Sequence, residues 1–219
     1  MSTQSDPDAD VPYGEDLQDP EAAAAWAAAA DRKRPHRIPV RKAIVDRLRQ
    51  LPAHTRVLEL GSGPGYLAEQ VLRECRTIAA YTLLDFSEPM LAMSRVRVES
   101  FPAARFVLSD FKGPSWTAAV PGPWDAVVSM QAVHEVRHKR HVPGLYRDIV
   151  NILAPAGLLI VCDLMPQDDT ARSTALFMTA EEQLEAMRAA GFIDVRLVTS
   201  GDGLALCEGR RPTATATRG

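Results

Sequence analysis

The sequence predicts an α/β fold in which a mostly parallel sheet carries helices on both faces. Short apolar runs alternate with amphipathic segments between residues 52 and 190, an order typical of strand–helix–strand units. The last two apolar runs are joined only by residues 199–203, Thr-Ser-Gly-Asp-Gly, and so short a link makes a hairpin. One strand at the edge of the sheet is therefore predicted to be antiparallel.

Two segments precede this alternation. Residues 1–20 are rich in Asp, Pro, Ser and Gln and have little apolar surface to bury, so we expect a disordered or loosely ordered tail. Residues 21–51 are expected to form an N-terminal helical cap or lid. Within it, Glu21–Ala30 is rich in alanine, a strong helix former, and Val40–Leu51 places apolar residues at helical spacing.

The main domain is predicted over residues 52–209, and a polar tail follows over residues 210–219. Each predicted strand is an apolar run bounded by turn residues, and each predicted helix has apolar residues three and four positions apart. The strands are predicted near residues 56–60, 81–85, 105–109, 124–129, 157–163, 192–198 and 203–208. The helices are predicted near residues 65–74, 88–98, 142–153 and 179–190.

A glycine-rich turn follows the first of these strands. Glu59 lies at the end of the apolar run, and Gly61, Gly63 and Gly65 follow at alternating positions before a helix-like pattern begins. Glycine has no Cβ, so the turn can adopt positive φ and a ligand can lie directly against its backbone. The turn therefore predicts a small-molecule site, and an ordinary strand-to-helix turn is the alternative.

Residues at the ends of other strands strengthen the first interpretation. In open α/β sheets, ligands bind beyond the carboxyl ends of the strands, where the strand order reverses. Glu59, Asp85, Asp110 and Met130 lie at such ends on four different predicted strands. We therefore expect them to converge on one ligand.

The ligand is not indicated to be a dinucleotide, because Tyr66 stands where the third glycine of Gly-x-Gly-x-x-Gly is required. The pattern Glu-x-Gly-x-Gly-x-Gly instead resembles motif I of the class I S-adenosylmethionine-dependent methyltransferases, of the type that acts on small molecules. Further segments resemble later parts of that family in order and spacing. They are Leu83–Leu91, Phe106–Phe111, Trp124–Ala132 and Asn151–Val161.

The resemblance implies a Rossmann-like seven-stranded sheet of order 3-2-1-4-5-7-6 and the cofactor S-adenosyl-L-methionine. It implies that Asp85 accepts hydrogen bonds from the ribose, whereas the alternative is an acid that caps the next helix. Phe86 and Phe111 would contact the adenine or, alternatively, belong to the core. The implied cofactor residues are Glu59, Gly61, Ser62, Gly63, Gly65, Asp85, Phe86, Met90, Asp110, Phe111, Met130 and Gln131.

A second motif indicates a different chemistry. Residues 134–138 read His-Glu-Val-Arg-His, which matches the His-Glu-x-x-His pattern of zinc proteases. That chemistry needs both histidines on one helix face, but Pro143 marks the next helix start, so we expect a loop and no metal. The resemblance places His134 and Glu135 near the transferred methyl group, where either could act as general base or merely line the pocket.

The acceptor pocket is expected to be covered by the N-terminal segment. Only about fifteen residues separate Asp163 from the helix near Thr179, which leaves little chain for a lid there. Five N-terminal residues are the candidates for lining this pocket: Tyr13, Trp26, His36, Arg37 and Arg41.

The composition limits the classes of partner. The net charge is −3, aromatic residues make up 6%, and no basic stripe is present, so we expect a small-molecule acceptor and not a nucleic acid. No apolar run reaches the roughly 18 residues that span a bilayer. Three widely spaced cysteines are typical of reduced thiols, so we expect a cytoplasmic protein, with a homodimer left open. A non-methylating cyclase or isomerase, or a cofactor-binding scaffold, remains the alternative on the same fold.

Overall fold

The computed structural model describes residues 9–33, 35 and 37–213. Its seven strands form one sheet with the order β3-β2-β1-β4-β5-β7-β6, which confirms the predicted fold class and strand order. The strands are β1 (Arg56–Leu60), β2 (Ala80–Asp85), β3 (Ala104–Leu108), β4 (Trp124–Met130), β5 (Leu153–Leu164), β6 (Ile193–Gly201) and β7 (Leu204–Arg210).

Helices cover both faces of this sheet. Strands β1 to β5 are parallel, whereas β7 runs antiparallel to both β5 and β6, as the short hairpin link requires. The helices are α1 (Pro20–Lys33), α2 (Arg37–Leu48), α3 (Tyr66–Glu74), α4 (Glu88–Arg97), α5 (Trp116–Ala119), α6 (Val142–Ile152), α7 (Ala171–Leu176) and α8 (Ala180–Ala189).

The core has two halves, one on each face of the sheet. Successive strand residues point to opposite faces, so Val57 packs with α2, α3 and α4, whereas Leu58 packs with α5, α6 and α8. Both halves are apolar, so the central strands are nearly continuous hydrophobic runs. Polar groups are thereby concentrated at the strand ends.

The chain reverses direction across the sheet at β1, which lies between β2 and β4. The glycine turn follows β1 directly, and the backbone N–H of Gly61 donates to Leu84 O at the end of β2. This arrangement places the turn at the topological switch point, where ligands bind in such sheets.

Two short helices and one strand boundary differ from the sequence prediction. Helices α5 and α7 were not indicated by periodicity, because four and six residues are too few to show it. Strand β5 begins at Leu153 because this residue already pairs with Trp124, and Ala156 then adopts φ 62° where the register shifts.

Residues 9–19, which we call the N-terminal strap, lie against the domain more closely than their composition indicates. The Val11 N–H donates to Arg137 O at 2.8 Å, and the Arg137 guanidinium donates to Val11 O at 2.9 Å and to Pro12 O at 2.6 Å. The Ser87 hydroxyl donates to Leu17 O. The strap therefore crosses the carboxyl ends of the strands and not the outer helices.

In the described part of the chain, none of the helices combines the length and the apolar composition that crossing a bilayer requires.

Candidate active site

The glycine turn has the backbone that its sequence predicts. Gly61, Gly63 and Gly65 adopt φ values of 66°, 53° and 82°. A Cβ at Gly61 would lie 2.3 Å from the Ala132 Cβ, and one at Gly65 would lie 2.9 Å from the Ser94 Cβ. Gly63 has no neighbour within 4 Å of its Cβ position, so this part of the turn is open. The outer glycines therefore serve packing, and the middle one leaves room for a ligand.

Asp85 supports this turn from the end of β2. One carboxylate oxygen accepts the Gly63 N–H at 2.7 Å, and the other accepts the Ser87 N–H at 2.9 Å. Burial raises the pKa of Asp85 to about 6 against these backbone hydrogen bonds. Helix α4 is capped by the Ser87 hydroxyl, which accepts from Met90 N at 3.2 Å, so Asp85 is not the cap.

A small cavity of about 70 Å³ lies against the turn. Glu59 is buried at its base and accepts from the Tyr81 hydroxyl at 2.9 Å, and burial raises the pKa of Glu59 to about 8. Among the described residues, two buried side-chain atoms make no hydrogen bond, Ser62 Oγ and Gln131 Nε2, and both residues line this cavity. The small cavity therefore has polar groups that a ligand would satisfy. It is lined by Trp26, Arg37, Arg41, Glu59, Gly61, Ser62, Gly63, Pro64, Tyr66, Leu67, Met130 and Gln131.

Arg37 and Arg41, two of the residues predicted to line the acceptor pocket, line this small cavity. The Arg37 Nε donates to the Gln131 side-chain oxygen, and its guanidinium lies 5.2 Å from the Trp26 ring. The Arg41 guanidinium lies 5.7 Å from the Tyr66 ring. Helix α2 packs beside α3, which starts at the glycine turn, so both side chains reach the turn. His36 lies outside the described residues.

A large cavity of about 550 Å³ opens beside the small one, and Trp26 lines both. It brings together Tyr13, Phe86, His134 and Glu135, four residues that the sequence placed at the cofactor or acceptor. The N-terminal strap and α1 form one wall, and α7 forms another. Its lining residues are Tyr13, Gly14, Glu15, Leu17, Ala22, Ala25, Trp26, Ala29, Ala30, Phe86, His134, Glu135, Arg137, Leu164, Arg172, Leu176 and Phe177.

The side wall contains a chain of alternating charges. The His134 Nδ1 lies 2.6 Å from one Asp163 oxygen, and the His134 backbone N–H donates to the other at 2.7 Å. On the far side of the ring, Nε2 lies 3.2 Å from a Glu135 oxygen, and the second Glu135 oxygen accepts from Arg137 at 2.9 Å. Both ring nitrogens of His134 thus face carboxylates.

This geometry determines the protonation of both candidate bases. Burial lowers the pKa of His134, but the charge of Asp163 and the hydrogen bonds to Asp163 and Glu135 outweigh it and raise the pKa to about 9. Burial raises the pKa of Glu135, but the hydrogen bond and charge of His134, followed by Arg137, leave it below its usual value. At neutral pH, His134 is a cation and Glu135 an anion, so the histidine is not free to accept a proton and Glu135 is a weak base.

The raised pKa of His134 predicts a dependence of stability on pH. A group whose pKa rises on folding stabilises the folded state below its unfolded pKa, near 6.5, and this contribution is lost as the pH rises toward about 9. We expect the free energy of unfolding to fall by about 3 kcal/mol more over this range in the parent than in His134→Gln. Urea unfolding between these pH values measures the difference. Glu59 is common to both proteins, so its own titration cancels, and parallel pH curves would contradict the prediction.

The His-Glu-x-x-His segment does not form a helix face. Val133–Val136 is one 3₁₀ turn, Arg137 follows with φ 68°, and a second 3₁₀ turn covers Lys139–His141. His138 lies between the turns, and its Nδ1 accepts from Arg140 N at 3.1 Å. The two histidines therefore do not share the helix face that zinc proteases require.

Three of the residues expected at the adenine line neither cavity. Met90 and Phe111 are both buried, and Phe111 belongs to the apolar core, so the core alternative holds for the Phe111 ring. Asp110 is exposed, and its carboxylate accepts from Lys112 N at 2.9 Å. Phe86 alone faces the large cavity, where the Tyr13 ring stacks on it with centroids 6.4 Å apart.

Sequence reasoning missed Asp163, Arg137 and Arg172. Asp163 is the last residue but one of β5, and Asp85 is the last residue of β2, so the rule that found Asp85 also applies to Asp163. Arg137 stood inside the zinc-like motif, where only the histidines and the glutamate were considered. Arg172 belongs to α7, which the sequence did not predict.

A model of a methyltransferase domain matches residues 57–157, which span β1, the glycine turn, Asp85 and the His134 segment. Over this stretch, a little under half of the chain, the sequence is similar to that methyltransferase domain family. The match ends within β5, so the N-terminal strap, α1, α2 and the cavity wall at α7 lie outside it.

Two curated relatives are methyltransferases. The chain is 31% identical over 123 residues to malonyl-[acyl-carrier protein] O-methyltransferase of Magnetococcus marinus, covering 56% of this chain and 42% of the relative. It is 36% identical over 112 residues to trans-aconitate 2-methyltransferase of Variovorax paradoxus, covering 51% and 39%. The chain thus spans less than half the length of these relatives.

Solved structures show the same fold. An O-methyltransferase family protein from Burkholderia thailandensis superposes with a TM-score of 0.69 over 90% of this chain and 61% of that one, at 18% identity. At this identity the likeness establishes the methyltransferase fold and nothing about the acceptor.

Proposed function

We propose that this protein is an S-adenosylmethionine-dependent methyltransferase that acts on a small-molecule acceptor. The observation that carries the proposal is the pair of adjoining cavities at the carboxyl ends of the strands. The small one is polar and lies on the glycine turn, and the large one has room for an acceptor.

The small cavity suits the methionine end of the cofactor. That end carries an ammonium group and a carboxylate. The buried Glu59 would face the ammonium group, and Arg37 and Arg41, which also line the cavity, would face the carboxylate. The backbone of Met130 and Gln131 adds acceptors beside the ammonium. Ser62 and Gln131 each bring a buried polar atom that needs a partner.

The nucleoside end would lie along β2. Asp85 is placed at the open Gly63 and would accept from the ribose, and Phe86 would pack on the adenine beneath the N-terminal strap. Asp110 would accept from the adenine amino group by turning from its present partner. Phe111 would contribute its backbone N–H, since its ring is in the core. Met90, which is buried in α4, would support this end of the site.

When bound, S-adenosylmethionine supplies an electrophilic methyl group, which an acceptor displaces from sulfur. The protein's part is to align the acceptor and to exclude water. Trp26 stands where the cavities meet, and residues 21–51 would act as the cap. His134 and Glu135 form an ion pair, and they are therefore better suited to orienting the acceptor than to removing a proton from it.

An acceptor that is already deprotonated at neutral pH fits this wall best. The names of the two relatives give malonyl-[acyl-carrier protein] with O-methylation and trans-aconitate as acceptors, both of them acids or their derivatives. We therefore favour O-methylation of an acid over N- or C-methylation here. The three cysteines are buried and unpaired, which supports a cytoplasmic site of action.

Incubation with methyl-labelled cofactor and a metabolite extract tests the proposal. We expect calorimetry to detect binding of S-adenosylmethionine and of its demethylated product, and label to appear in a small product. Binding without label transfer would instead support a non-methylating enzyme or a scaffold. The absence of binding to either compound would refute the proposed function altogether.

A further inference from the structure

The charges that line the large cavity are mostly paired with one another. Asp163, His134, Glu135 and Arg137 alternate in sign, and each contacts the next within 3.2 Å. This cluster has no net charge at neutral pH. It gives an acceptor a polar wall but no excess of either sign.

Two charged lining residues remain outside the cluster, Glu15 and Arg172. Phe86, His134 and Leu164 mark where the cavity meets the ends of β2, β4 and β5. Neighbouring strands are about 4.8 Å apart, so β2 and β5, three steps apart in the sheet, lie on the order of 14 Å from each other. Glu15 belongs to the strap at the β2 end, where the nucleoside would lie.

Arg172 belongs to the opposite end, which the cofactor leaves to the acceptor. It lies on α7, the helix that follows β5. Leu176 is on the same helix, Phe177 directly follows it, and both also line the cavity. Within the described chain, its guanidinium has no ion-pair or hydrogen-bond partner, and its side chain is exposed to the cavity. The acceptor end thus combines one uncompensated cation with apolar walls.

We propose that the acceptor carries a carboxylate that pairs with Arg172, and that its apolar part lies against Leu176 and Phe177. The inference rests on the proposed function and names the chemical class of the acceptor. The planar guanidinium matches a carboxylate with two parallel hydrogen bonds. The N-terminus of α7 is already capped by Thr170, so the site lacks the free backbone donors that typically accompany phosphate.

Arg172 is a binding residue in this proposal. It takes no part in proton transfer, and the carboxylate that it binds is at a distance from the reacting atom of the acceptor. Its removal should therefore weaken acceptor binding and leave cofactor binding unchanged. The acceptor is accordingly expected to have a second nucleophilic group near His134.

Calorimetry on the protein saturated with S-adenosylhomocysteine separates these effects. The probes are glutarate, adipate and phenylsuccinate, with the corresponding diamides as neutral analogues and alkyl phosphates as alternative anions. The variants are Arg172→Ala and Arg172→Lys. Arg188→Ala is the matched control, because it removes an exposed arginine from α8, outside both cavities.

We expect at least one dicarboxylate to bind and its Kd to rise about tenfold or more in Arg172→Ala. Arg172→Lys should show a smaller rise, since it keeps the charge but loses the fork, and Arg188→Ala should bind like the parent. The inference would be overturned if no dicarboxylate binds, or if the diamides bind as tightly as the dicarboxylates. It would also be overturned if the two alanine variants have equal effects, or if only the phosphates bind in a way that depends on Arg172. Failure to bind S-adenosylhomocysteine would count against the proposed function instead.

Discussion

Replacing Asp85 by alanine is expected to weaken the binding of S-adenosylmethionine by about a hundredfold. The substitution removes two hydrogen bonds that the carboxylate accepts from the N–H groups of Gly63 and Ser87, at 2.7 and 2.9 Å. It also removes the acceptor that we propose for the ribose. Hydrogen bonds to a charged group contribute about 1.5–3 kcal/mol each, and about 2.7 kcal/mol corresponds to a hundredfold. Calorimetric titration of the folded variant measures the change.

Asp125→Ala is the matched control for this experiment. Its carboxylate accepts from the Arg56 N–H at 2.7 Å, a similar bond at the amino ends of β1 and β4, away from both cavities. We expect a comparable loss of stability from each backbone hydrogen bond removed, but no loss of cofactor affinity in Asp125→Ala. Equal affinities in both variants would show that Asp85 only supports the backbone and would remove it from the cofactor site.

Replacing Asp163 by alanine is expected to lower the free energy of unfolding by about 3–5 kcal/mol, because it leaves the His134 cation buried without its main partner. Asp163 is 3% exposed and contacts the His134 ring at 2.6 Å. It also accepts from the backbone N–H groups of His134 and Leu164. Urea unfolding near pH 7, with the slope checked for constancy, gives the loss.

A double-mutant cycle separates the charge from the backbone bonds. In the His134→Gln background, Asp163→Ala should cost clearly less than in the parent, since no cation remains to be stranded. Asp163→Asn keeps an acceptor for the backbone and isolates the charge further. Additive losses in the cycle would mean that His134 and Asp163 are not an ion pair, and the protonation state assigned to His134 would then be wrong.

The sequence predicts the sheet because its signals are local. A few consecutive residues are enough to identify the apolar runs, the turn around Gly63 and the acid at the end of β2. The switch point then follows from the strand order. The same applies to Ser87, whose position before α4 predicts the cap that is found. These features need no knowledge of distant contacts.

The contents of the cavities depend on contacts between distant residues. Helical spacing predicts α2, but not that Arg37 meets Gln131, 94 positions later in the chain. The hydrogen bond between Val11 and Arg137 spans 126 positions, and the composition of the N-terminal segment does not predict it. The Phe111 ring packs in the core near Ala132 and Gly61, which are distant in sequence, so its direction could not be predicted from its own segment.

Arg137 joins the roof of the site to its wall. Its guanidinium holds the carbonyls of Val11 and Pro12 and, with another nitrogen, the Glu135 carboxylate. Under the proposed function, a nucleoside packed on Phe86 would lie beneath Tyr13 of this strap. The same arginine stays tied to the residue beside the acceptor. Movement of the strap and movement of the acceptor wall would therefore be coupled through this one side chain.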